Sequence, residues 1–95
     1  MPEMLFRIRW PDGKVESCYS PSLVVKDFFI PGETYPLADF LERSRTALTL
    51  ASQRVEAKYG WRCSRAAAQL ARIETAAEPF SDDLGAQVTV DAFEE

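Results

Sequence analysis

Two cysteines, Cys18 and Cys63, stand in a chain of 95 residues that contains no histidine. The missing imidazole removes His-dependent triads, His-ligated metal sites and the commonest general base. Thiol chemistry is what remains to weigh first. The two cysteines are far apart in sequence and form no C-x-x-C pair. The opening MPEMLFRIRW mixes charged residues into a strand pattern, unlike a secretion or transit segment. Reduced thiols in a cytoplasmic protein are therefore expected, not a disulfide. Cys18 falls within an expected strand. Cys63 falls at an expected helix start, where the partial positive charge of the N-terminus, with Arg62 and Arg65, favours thiolate. Cys63 is thus the candidate thiol; the plainer alternative is a small hydrophobe tucked under a turn.

The carboxylates form no comparable constellation. Asp39, Glu42, Arg43 and Arg45 could make an acid–base cluster, but acids in a first helical turn are what the helix dipole alone favours. Asp82, Asp83 and Asp91 lack the alternating spacing and closing Glu of a calcium loop. The four glycines are isolated turn residues and build no phosphate cradle. No catalytic residue, cofactor site or metal site is expected. A net charge of −4 opposes nucleic-acid binding, so Phe6, Trp10, Tyr19 and Tyr35 read as core aromatics and not as a base-stacking platform. No apolar run approaches the ~20 residues of a membrane span.

The elements that position these residues follow from periodicity. Leu37, Phe40, Leu41, Leu48, Ala51, Val55 and Tyr59 recur at helical spacing, with Ser44 and Ser52 on the same face. Gly60 stops this helix, and a second runs from Cys63 or Ser64 to about Ala77 with Ala66, Ala67, Leu70, Ile73 and Ala77 inward. The small residues allow a close antiparallel hairpin about Gly60-Trp61-Arg62. Met4 to Trp10 alternates as a strand, Val15 to Ser20 returns, and Gln87 to Phe93 alternates as a last strand. At Pro11-Asp12-Gly13 two registers compete. A two-residue loop sets Trp10 across from Val15 and Phe6 across from Tyr19; a type I turn with a glycine bulge sets Lys14 opposite Trp10. Proline favours the bulged form. The expected fold is a single two-layer α+β domain over residues 1–95, an antiparallel β-hairpin plus a C-terminal strand packed on a two-helix hairpin.

Leu23 to Ile30 is the most apolar stretch and permits either a short helical turn, capped by Ser20 with Pro21 in first position, or a strand. A small core need not bury all six of its large side chains. Those left outside, together with Trp61 at the helical turn, would mark an association surface. Val25, Phe28, Phe29 and Trp61 are accordingly the candidate interface, most simply of a homodimer.

The motifs RWPDG, CYSPS, GETYPLADF and SRTALTLASQRVEAKYGWRCSRAAAQLARIE together resemble a family of small bacterial nitrogen-starvation-response proteins. The genes of that family lie in clusters encoding a nitrilase, a radical-SAM protein, an acetyltransferase-like protein and a flavoprotein. The resemblance covers nearly the whole chain, most strongly Met1 to Glu78, and brings no catalytic residues with it. It implies a nitrogen-stress context. Joined to the absent catalytic apparatus, it points to a non-enzymatic accessory or regulatory protein that binds a protein of its own gene cluster. A thiol sensor or small enzyme using Cys63, and a small-molecule binding domain, are the rivals.

Overall fold

Alternation of apolar and polar residues sets the first hairpin. In the computed structural model, which describes residues 3–61 and 63–95, β1 is Met4–Arg9 and β2 is Val15–Ser20. They pair antiparallel with Arg9 opposite Val15 and Phe6 opposite Cys18. The Trp10 N–H donates to the Lys14 carbonyl at 2.8 Å and the Gly13 N–H to the Trp10 carbonyl at 2.9 Å. Gly13 adopts φ 89°, which any residue with a Cβ resists. The bulged turn is the one the chain forms, and it decides which way Tyr19 points.

Two further strands complete the sheet. β3, Thr34–Pro36, lies against β4, Gln87–Glu94, and β4 lies against β1, giving the order β2-β1-β4-β3, antiparallel throughout. β3 is a three-residue edge strand that leads directly into the long helix. β4 does not alternate strictly. Arg7 faces Ala92 but Ile8 faces Val90, so Asp91 is an extra residue in the ladder. This bulge resets the alternation, and Phe93 joins Val88 and Val90 beside the core.

The helices cover one face of the sheet. α1, Leu37–Tyr59, buries Leu37, Phe40, Ser44, Ala47, Leu48, Ala51 and Val55, while Tyr59 turns outward. α2, Ser64–Ala77, buries Ala66, Ile73 and Ala77 and leaves Ala67 exposed. Met4, Phe6 and Ile8 meet them from β1, and Trp10 from the residue after it. Trp10 sets its ring edge-on to Phe40 at 5.8 Å, and its Nε1–H donates to Glu16 at 3.0 Å, so a large amphipathic ring is buried with its polar atom satisfied.

The segment from Leu23 to Ile30 turns inward. It opens as a 3-10 helix, Leu23–Asp27, capped by Ser22, whose Oγ accepts from the Val24 N–H at 3.3 Å. Ser20, expected as the cap, instead hydrogen-bonds Ser22 through both its N–H and its carbonyl. The compact turn throws Val25 and Phe29 onto the core. Phe29 packs on Phe6, Tyr35 and Phe40 with ring centroids 5.3 to 6.0 Å apart.

Candidate functional site

Because Cys18 and Ser20 point into the core, Tyr19 between them points out of it, opposite Leu5. Its hydroxyl donates to Glu3 Oε2 at 2.9 Å. The Arg65 guanidinium, in the first turn of α2, lies 3.8 Å from the centre of the Tyr19 ring and 3.7 Å from Glu3. The Tyr19 N–H donates to Gln69 Oε1 of α2 at 2.9 Å, so that helix closes the β2 edge here. Burial pushes the Tyr19 phenol up to about 12, helped by the hydrogen bond to Glu3 and its charge and by Cys63, with Arg65 pulling the other way. At neutral pH Tyr19 is a donor without charge.

The turn between the helices supplies the opposite wall. Gly60 ends α1 at φ 84°, its N–H donating to the Glu56 carbonyl at 2.8 Å. The left-handed residue carries the chain away from α1, and Trp61 stacks on Tyr59 with ring centroids 6.1 Å apart. Trp61 remains 68% exposed. Lys58 Nζ lies 5.6 Å from the Tyr59 ring. Tyr19, Tyr59, Trp61 and Cys63, with Val55 and Glu3, line a cavity of about 290 Å³.

The two thiols are separated by this geometry. Both are free. Cys18 is buried, and its thiol is pushed up to about 12 by that burial, with the Glu16 carboxylate adding and Arg72 opposing. Cys63 is half-buried at the N-cap of α2 and borders both the aromatic cavity and the groove between the helices. Arg62, expected to reinforce it, lies outside the described residues.

The candidate interface is divided in the same way. Val25 is wholly buried and Phe29 is 1% exposed, which corrects the expectation that they reach the surface; lining an interface would require opening the core. Phe28 is half-buried at the core margin, and Ile30 is the member of this segment that stands clear of it. Trp61 is where the turn put it. Residue type alone groups Tyr19 with the core aromatics; the bulged register, which takes it away from Phe6, is the signal that places it outside.

The acidic cluster dissolves into structural contacts. Arg43 pairs with Asp39 at 2.9 Å, donates to the Phe28 carbonyl at 2.7 Å and lies over the Tyr35 ring, fastening α1 to the buried segment. Arg45 reaches across to Glu74 of α2 at 3.3 Å. Asp83 accepts from the Gly85 N–H, and Asp91 pairs with Arg9. Among the described residues no group of three His, Cys, Asp or Glu side chains converges as a metal site would need. No described helix is long and apolar enough to cross a membrane.

No curated protein and no solved structure matches the chain. A family model described as nitrogen starvation-induced protein NitG matches residues 5–93, from β1 through β4. The chain belongs to the nitrogen starvation-induced protein NitG family.

Proposed function

We propose that this protein works without catalysing a reaction, as an accessory or regulatory component of the nitrogen-starvation response that acts by holding another protein. The observation that carries the reading is the aromatic tip. An indole 68% exposed, stacked on a partly exposed tyrosine beside a small cavity, leaves apolar surface in water that a partner would cover. Tryptophan is enriched among interface hot spots. The partner is a protein encoded in the same nitrilase-containing gene cluster, in the cytoplasm, as the family resemblance implies. Mixing the purified chain with each purified cluster protein and sedimenting the mixture tests this. One complex should form with wild type and be lost with Trp61→Ala, whose fold should survive. Absence of a complex with every cluster protein would sink the reading.

A second reading rests on Cys63, half-buried at the head of α2 and shared by two recesses. A thiol sensor working there would change tryptophan fluorescence on mild oxidation of wild type, and Cys63→Ser would abolish the change. An unchanged signal in wild type removes it.

A further inference from the structure

The aromatic tip has a counterpart at the other end of the same molecule. α1 has 23 residues, so at 1.5 Å per residue it is about 34 Å long. The molecule measures 40 Å along its longest axis. α2 has 14 residues, about 21 Å, so the place where α1 begins and α2 ends lies roughly 20 to 34 Å from the tip. At that place Leu37, Leu41, Ala77 and Leu84 line a second cavity, of about 440 Å³, the size range of pockets that enclose a ring system. Its rim carries Glu74, Glu78 and Asp83, with Arg45 opposing them. Leu84, on the loop before β4, is wholly exposed.

The two ends are opposite in charge. Residues 54–65 hold Arg54, Lys58, Arg62 and Arg65 against Glu56; residues 74–83 hold Glu74, Glu78, Asp82 and Asp83 and no base. Helix stability does not account for this. α1 has Asp39 in its first turn and Lys58 in its last, as its dipole prefers. α2 has Arg65 but no acid in its first turn, and Glu74 but no base in its last. The charges on α2 run against its own dipole and are held by contacts outside it, Arg65 by Glu3 and Glu74 by Arg45, so the fold keeps the two ends opposite in charge at some cost to the helix.

We propose that the Trp61 tip of one copy docks into the acidic, leucine-lined cavity at the opposite end of a second copy. The indole supplies the apolar anchor, and the exposed bases at its end of α1, Arg54 and Lys58, meet Glu78 and Asp83. A molecule cannot bring its own tip to its own cavity along the rigid length of its helices, so the contact is between copies and heterologous, head to tail. This replaces an isologous dimer through Val25 and Phe29, which the core encloses. It goes beyond the partner reading above and needs no second kind of protein. Self-association and partner binding use the same indole and exclude one another.

Sedimentation equilibrium of the purified chain tests the proposal independently of any cluster protein. Wild type should associate with rising concentration, and the association should weaken about tenfold or more between about 0.05 and about 0.5 M salt. Trp61→Ala and Leu84→Lys both replace exposed side chains, so the folds should hold, and each should weaken association by about tenfold or more. An equimolar mixture of the two variants should recover a one-to-one complex, since one keeps its cavity and the other its tip. Wild type that stays monomeric, single variants that still associate, or a mixture that stays monomeric would each overturn the proposal.

Discussion

The segment from Leu23 to Ile30 and the turn from Tyr59 to Cys63 began as parts of one expected surface, and the fold sends them in opposite directions. The first leaves β2 through a serine-capped 3-10 turn, and that tight curl buries Val25 in the core and aims Phe29 at three other core aromatics. The second leaves α1 through a left-handed glycine, and among the described residues Trp61 stacks on one ring, that of Tyr59. Both segments are apolar. What separates them is the number of partners the preceding turn makes reachable, which composition does not encode.

The sharpest way to break this contrast is to exchange the chemistry at the two aromatics. Phe29→Ala should destabilise by about 3–5 kcal/mol, and Phe29→Asp by more, because a carboxylate would enter the core without a partner. Trp61→Ala should change stability by about 0.5 kcal/mol or less. Urea midpoints measure both. Similar midpoints for Phe29→Ala and Trp61→Ala would mean that the two segments are not divided between core and surface as described.

Neighbours in β2 offer a second contrast, visible only at high pH. Cys18 faces the core and Tyr19 faces away, yet both are pushed up to about 12, from ordinary values of 9.0 and 10.0. A raised folded value contributes stability that is complete below the ordinary value and is lost as pH rises through the folded one. Stability should therefore fall from about pH 9 upward, first through Cys18 and then through Tyr19. At about 1.4 kcal/mol per unit, Cys18 accounts for about 4 kcal/mol at most. Cys18→Ala should remove the decline between about pH 9 and 10 while leaving the later one. A Cys18→Ala curve parallel to wild type throughout would show that the thiol does not titrate in the folded core.

Much of this was legible in the sequence, and the failures have physical causes. Periodicity located α1 to the residue at both ends, because Pro36 and Gly60 punctuate a long amphipathic run. It placed Tyr59 on the buried face because a 3.6-residue period does not know that the last turn overhangs the core. The bulge at Asp91 was not legible: Gln87 to Phe93 alternates well enough either way, and only the pairing with β1 shows the extra residue. Hairpin register was open until the turn geometry chose it, and with it the outward face of Tyr19. The aromatic cavity joins residues 3, 19, 21, 55, 59, 61 and 63. Of these, Trp61 and Cys63 stood out by type and position; Glu3 and Tyr19 are brought in by tertiary packing.

Gly60 tests the turn itself. A Cβ there would meet nothing within 4 Å, so the obstacle to alanine is the backbone at φ 84° and not space. Gly60→Ala should cost about 1–2 kcal/mol from that conformation alone. If the left-handed turn is what holds the indole out, the variant should also shift Trp61 emission and its access to quenchers. A stability loss with unchanged quenching would place the control of Trp61 in its stacking on Tyr59 instead.

The smallest expected effect is inside the core, at a place where the inward segment and α1 differ in how they treat a buried hydroxyl. Ser20 and Ser22 are buried with their hydroxyls bonded to backbone groups. Ser44, on the inward face of α1, is equally buried, and its Oγ has no hydrogen-bond partner among the described residues. A hydroxyl in that position carries a desolvation cost that no bond offsets. Alanine fits the same space and favours the helix more. Ser44→Ala should therefore leave stability unchanged or raise it by about 1 kcal/mol, against a loss for Ser22→Ala, which removes a cap worth about 1 kcal/mol. Opposite signs in the two urea midpoints are the expected result. A clear loss for Ser44→Ala would show that the hydroxyl is bonded in solution and belongs to the packing of α1 as much as its leucines do.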